Sequence, residues 1–467
     1  MSVPVWALAE QGVAVRAVRP ARRTAFFVVG IVTGVVAPGP VTRAEGDTVR
    51  ESVKHLCRDY LEGFGHPDTK LCYHHRLNGP KGLAALSSPE DIAKRVVAGK
   101  PMPYGYGSGI QDVALENGQF LFALCDAYDA TRDEELAALA RHVYQGMKLI
   151  GTVSAEPGFV PRGPHPDGKS YYPDSSRDQT CAFVEALWRY HASTLSTPED
   201  RAFIADALAK VGRRMARYDY VLMVEDGSHM AHVGFGWKQL TVIGAATLLG
   251  HLAAISDATD DPHWAELYDE FSREQRGVRW KLLSAGSAES AQADTLYSNQ
   301  FFTSLAVLVR TETDRSRVAS VRGLMKAQAE RALRSNVFDE RAWRRLDWAG
   351  GWSDSETEAA LKPFGLTLTA QPTVVDLYRR FDPQLFQTQS RRQQQVNAKL
   401  LMGLPTVAFH KALLSESPEL VREVAPHVQD MVTKMVVHGS QYMGGENFNR
   451  AVILGLHLVA LRARGVG

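Results

Sequence analysis

The stretch that decides the fold runs from Phe120 to Met147 and reads "FLFALCDAYDATRDEELAALARHVYQGM". Its first part is apolar nearly all round. A four-residue turn, "TRDE", follows, and the second part carries apolar residues on one face and charge on the other. A helix apolar on every side is buried on every side, and one with a charged face covers it from outside. The segment therefore predicts a helical hairpin with an inner and an outer arm.

The pattern recurs along the chain. "FVEALWRYHASTLSTPEDRAFIADALAKVGRRM" from Phe183 superposes on the first hairpin with a small gap. Counting these two hairpins, apolar arms begin at Val113, Thr180, Leu240, Ser298, Val396 and Phe448, and charged arms at Thr48, Asp133, Pro198, Pro262, Arg317 and Pro418. Starts such as "STPED" and "SESPEL" place Ser, Pro and Glu where a helix begins. No strand alternation of useful length follows residue 45. Six apolar arms and six charged arms predict an all-α (α/α)6 toroid, with an inner ring inside an outer one. An open solenoid is the alternative, but its terminal helix needs a polar face, and "AVILGLHLVALRA" at the end of this chain has none.

The first 44 residues differ in kind. Arg16, Arg19, Arg22 and Arg23 precede the apolar run Ala25–Ala37, which leads to Pro38, Gly39, Pro40 and "TRA". That is the layout of a secretory signal peptide, and the Arg22–Arg23 pair is compatible with twin-arginine export. Thirteen apolar residues are short for a bilayer span, so an uncleaved anchor is the lesser reading. The expectation is a signal peptide over 1–44, a single domain over 45–467, a periplasmic or secreted location, and no stable membrane insertion after cleavage.

Cleavage removes five of 53 Lys/Arg and one of 52 Asp/Glu, so the remainder carries 48 − 51 = −3. Such a surface excludes general attraction to nucleic acid. Cys57, Cys72, Cys125 and Cys181 have no zinc-ligand spacing. A Cys57–Cys72 disulfide and four buried thiols are both compatible with the pattern. No GxGxxG after a strand, P-loop, HExxH or GxSxG is found, so neither cofactor nor metal is expected.

Long connections from outer to inner arms gather at one end of such a ring, and these hold the unusual residues. They include "PMPYGYGSGIQD" from Pro101, "GFVPRGPHPDGKSYYPDSSRDQ" from Gly158, "VEDGSHMAHVGFGWKQ" from Val224 and "HGSQYMGGENFNR" from His438. Aromatic, amide and charged groups converging on a ring mouth fit carbohydrate recognition. Within "YPDSSRDQ", Ser176 and Gln179 have capping-box spacing and Asp178 suits a first turn, but Arg177 and Asp174 are left over.

With these residues in view, the chain resembles the (α/α)6 carbohydrate-active enzymes. Among them it is most similar to the unsaturated glucuronyl hydrolases and related bacterial β-glucuronidases, in which a Ser-Arg-Asp/Gly-Gln segment also opens an inner helix. Here Asp178 stands where those hydrolases have Gly, and Thr180 where they have Trp. The resemblance implies an exported glycoside hydrolase acting on a uronic-acid-containing glycan. A polysaccharide lyase using His229 or Tyr297, and a non-catalytic glycan-binding envelope protein, are the rival readings; a sugar epimerase is a third and weaker one, because that class is usually cytoplasmic and the N-terminus argues against it. Candidate catalytic carboxylates are Asp178, Asp112, Glu116 and Asp174. Candidate substrate contacts are Arg177, Arg162, Tyr172, Gln179, His229, His232, Trp237, Lys238, Tyr297, Asn299, Trp348, Trp352, Glu446, Asn447 and Arg450. The sequence says nothing of oligomeric state.

Overall fold

A computed structural model describes residues 43–287, 300–335, 352–388, 390–438 and 444–466. The proposed signal peptide, Tyr297, Asn299 and Trp348 lie outside the described residues, apart from the last two positions of the 1–44 stretch.

Twelve helices build the ring among the described residues. The outer ones are α1 (Arg43–Phe64), α3 (Glu134–Thr152), α5 (Pro198–Arg217), α7 (Pro262–Leu282), α9 (Arg315–Arg334) and α11 (Pro418–His438). The inner ones are α2 (Val113–Thr131), α4 (Arg177–Ala192), α6 (Val242–Thr259), α8 (Gln300–Thr311), α10 (Leu404–Leu414) and α12 (Gly445–Ala463). Each inner helix packs on the next, α2 on α4, α4 on α6, and so on to α10 on α12, and α12 returns to pack on α2. This closed cycle, with each outer helix laid against it, is the (α/α)6 toroid. A two-stranded hairpin, Val96–Val97 with Lys100–Pro101, is the strand structure present in the same residues.

The inner-to-outer turns share one local solution. Arg132 closes α2 in the left-handed region, and the Asp133 carboxylate then accepts from Glu135 and Leu136 N–H to start α3. Asp260 and Asp261 repeat this between α6 and α7. In both, one positive-φ residue turns the chain and an Asp cap satisfies the next helix's free donors.

Small residues let the inner helices approach closely. A Cβ at Gly118 of α2 would stand 2.6 Å from the Ala182 carbonyl oxygen of α4. Gly250 of α6 meets Ser304 of α8 at 2.8 Å in the same sense.

One arm differs from the sequence expectation, and one alternative left open there is resolved. The apolar arm from Val396 is not one α-helix: residues Ala398–Gly403 are π-helical, and α10 begins beyond them. Pro405 supplies no N–H to the preceding turn, which loosens the ladder there. The long interval before it also holds short helices, Asp354–Leu361, Val374–Arg379, Leu385–Thr388 and Arg391–Asn397. The four cysteines are free and buried, so the Cys57–Cys72 disulfide is not formed.

Candidate active site

The starts of α2, α4, α10 and α12 meet around one cavity of about 250 Å³. Asp112, Glu116, Asp178, Glu446 and Arg450 line it, with His74, Tyr106, His410 and Asn449. The opposite ends of the inner helices close the ring. There Asp126 accepts from Arg189 Nε at 2.6 Å and from both Arg310 terminal nitrogens at 2.8 and 2.9 Å. Burial works against the Asp126 carboxylate, but Arg310 and Arg189 outweigh it and hold its pKa far below the ordinary value. The ring thus has an ion-paired floor and an open mouth.

At the mouth, Gln179 ties α4 to α2. Its Oε1 accepts from Leu115 N–H at 2.8 Å and its Nε2 donates to Asp112 Oδ1 at 2.8 Å. The expected capping box is therefore absent. Ser176 donates its hydroxyl to Asp178, and Asp178 Oδ1 accepts the Gln179 N–H at 3.1 Å. Gln179 is drawn across to α2 because there its amide oxygen accepts from Leu115 N–H while its amide nitrogen donates to Asp112, whereas the box would use the oxygen alone.

Arg162 lies behind the cavity, 2% exposed. Its Nε is 3.4 Å from Asp174, its Nη1 is 3.9 Å from Asp112, and its Nη2 donates to the His232 carbonyl at 3.2 Å. Burial opposes its charge, yet Asp178, Asp174 and Asp112 together hold the guanidinium protonated. Asp174 completes the frame by accepting the His232 N–H at 3.1 Å.

The carboxylates differ in environment. Burial raises the Asp112 pKa, the neighbouring charges of Asp178 and Glu116 raise it further, and it reaches about 7. Glu116 is 3% exposed and accepts from His74 Nδ1 at 2.9 Å and Tyr60 OH at 3.4 Å. Burial works against the His74 cation, but that Glu116 bond wins and lifts its pKa to about 9. Glu116 is therefore committed to an ion pair. Asp112 is the group poised to hold or release a proton near neutrality.

On α12, Asn449 donates to Tyr60 OH and to the Glu116 carbonyl, both at 3.1 Å. Arg450 pairs with Glu446, and its Nη1 is buried with no hydrogen-bond partner among the described residues.

Of the predicted residues, Asp112, Glu116, Asp178, Glu446 and Arg450 line the cavity. Gln179, Arg162 and Asp174 stand behind it as positioning residues instead of contacting substrate or reacting atoms there. Others are corrected. Arg177 does not join the aspartates; its guanidinium lies over Phe235 at 5.2 Å. Tyr172 is buried, with its OH on the Val96 carbonyl at 2.7 Å, so it offers no stacking face. Trp237 is 2% exposed and packs edge-on against His251 at 4.4 Å. Lys238 pairs with Asp219, Trp352 sits under Arg392 at 5.3 Å, and Asn447 falls outside the cavity lining. His229 and His232 line a neighbouring pocket with Asp174 and Tyr104.

His74, Tyr106, Gln111, Gln119, Thr406 and His410 also line the cavity and were not singled out from sequence. Tyr106 had a usable signal, since it stands in a connection already marked as aromatic-rich. His74 had none, because its role depends on Glu116, 42 positions away.

No protein-family model matches the chain, and no curated protein matches it in sequence. Among solved structures it is similar to the cellobiose 2-epimerase of Spirochaeta thermophila DSM 6192, at 12% identity and a TM-score of 0.36, over 88% of this chain and 98% of that one. At that score the toroid stands on the chain's own helix contacts and not on this likeness.

Proposed function

We propose that this chain is an exported carbohydrate-active enzyme, a glycoside hydrolase acting on a glycan that carries uronic acid. The observation that supports this most is that Asp112 and Asp178 line one cavity while the pKa of Asp112 is raised to about 7. Carboxyl groups whose environments differ in this way can divide the two roles of a glycosidase. Asp112, protonated below neutrality, is the general acid that gives its proton to the leaving glycosidic oxygen. Asp178 is the carboxylate that activates water or attacks the anomeric carbon. Glu116, bound to His74 and Tyr60, stands beside Asp112 at the start of the same helix.

The uronate carboxylate is assigned to Arg450, a guanidinium that lines the same cavity. Export rests on the residue order of positions 1–44 and is checked by locating the mature protein after cell fractionation. The test of the activity is a screen of the purified protein on uronate-containing glycans, reading both new reducing ends and new C=C absorbance. New reducing ends without the absorbance are expected. Absorbance from a double bond would make the chain a lyase, and neither signal would remove the enzymatic reading.

A further inference from the structure

Beside the catalytic cavity lies a second pocket of about 290 Å³, lined by Tyr104, Asp174, Asp226, Ser228, His229 and His232 among others. The two are separated by three packed rings. Tyr104 stacks on His232 at 3.9 Å with the planes 8° apart. Tyr106 meets His232 edge-on at 5.5 Å and Tyr104 at 5.5 Å. Tyr106 lines the catalytic cavity and is 36% exposed, whereas Tyr104 and His232 line the second pocket. The partition is therefore an aromatic ridge whose crest is open.

Arg162 anchors this ridge from below. Its guanidinium lies 5.0 Å from the Tyr106 ring centre, bonds the His232 carbonyl, and reaches Asp112 on one side and Asp174 on the other. Both pockets are thus built on one buried cation and hold a constant relation to each other. The second pocket offers an aromatic face with hydroxyl, imidazole and carboxylate groups around it, the combination that holds a sugar ring by its CH face and its hydroxyls.

We infer that the second pocket is a sugar-binding subsite for the neighbouring residue of the same glycan, so that the substrate is an oligo- or polysaccharide that crosses the Tyr106 crest. This rests on the glycosidase reading above and adds the substrate's length and path. Tyr104 supplies the platform, and Ser228 and His229 form the outer rim.

The experiment uses oligosaccharides of galacturonate, alginate and hyaluronan from disaccharide to hexasaccharide with the purified chain. For whichever series is turned over, kcat/KM is expected to rise from the shortest substrate to the longer ones. Tyr104→Ala, which removes the platform, and Ser228→Trp, which fills the pocket, are each expected to lower kcat/KM on the longest substrate roughly five- to tenfold more than on the shortest. Circular dichroism of both variants verifies the fold, and the rim substitution bears on the inference even if the Tyr104 variant is unstable. Turnover with no length dependence, or equal losses at every length, would overturn the subsite while leaving the glycosidase reading in place. Turnover of no substrate in the panel would overturn both.

Discussion

Asp112 is held between opposed influences, and its proton is where the site's chemistry meets the protein's stability. Burial and the charges of Asp178 and Glu116 favour the protonated form, while Arg162 and His74 favour the anion. A carboxyl whose pKa is raised by folding stabilises the folded state below its ordinary value of 3.8, and that contribution is lost as pH rises to about 7. Asp112→Asn removes this titration and keeps an acceptor for Gln179. The variant is expected to be more stable than the parent at pH about 8, by on the order of a few kcal/mol, in urea denaturation. It should also lose about 100-fold or more in kcat on the substrate found by the glycan screen. The parent's kcat/KM should fall as pH rises through about 7, in line with loss of the general acid. At this scale the sequence exposed Asp112 and Asp178, because acids that open apolar helices are conspicuous. It did not expose what divides their roles, since the burial of Asp112 and the approach of Asp178, 66 positions away, come from the packing of α4 on α2 and no local pattern shows them.

The helices carry the arrangement through their ends. Apolar periodicity made the inner arms legible to within a few residues except for the one from Val396, whose α-helix begins only at Leu404, and Ser-Pro-Glu starts marked outer arms such as α5 and α11. What periodicity could not carry was the partner of each polar residue along an arm. Asp126 and Arg189 read as isolated charges in apolar helices, yet with Arg310 they join α2, α4 and α8 in one buried cluster. Asp126→Asn leaves two guanidinium groups short of their counter-charge and is expected to destabilise the protein by roughly 3 to 5 kcal/mol at pH 7. Because the Asp126 pKa is depressed in the folded state, its contribution is complete above the ordinary value of 3.8 and is lost as pH falls below it. The gap between parent and variant in denaturant midpoint should therefore narrow in acid. A gap that stayed constant would show that the cluster acts by packing alone.

For the whole molecule the decisive contact is the one between its last helix and its first two. Phe448 of α12 stacks on Tyr60 of α1 at 5.6 Å, and Asn449 bonds both Tyr60 and the Glu116 carbonyl of α2. Removing residues 439–467 opens the ring and bares the apolar faces that α12 covers on α1, α2, α10 and α11. The truncated chain is expected to lose its cooperative thermal transition and to bind a hydrophobic dye, whereas an open solenoid shortened by one repeat would keep a transition. The apolar character of α12 is legible in the sequence and fits this closure, since α12 packs on α1, α2, α10 and α11.

Closure also sets the order of events during synthesis. Tyr60 and Asn449 are 389 positions apart, so the bond between them can form only after all the residues between them have been made. Contacts of such sequence separation are slow to form. The first hairpins must wait with one flank uncovered, a state prone to aggregation. The nascent chain therefore has a long interval in which its opening helices lack their final neighbour, and that interval ends only when α12 arrives.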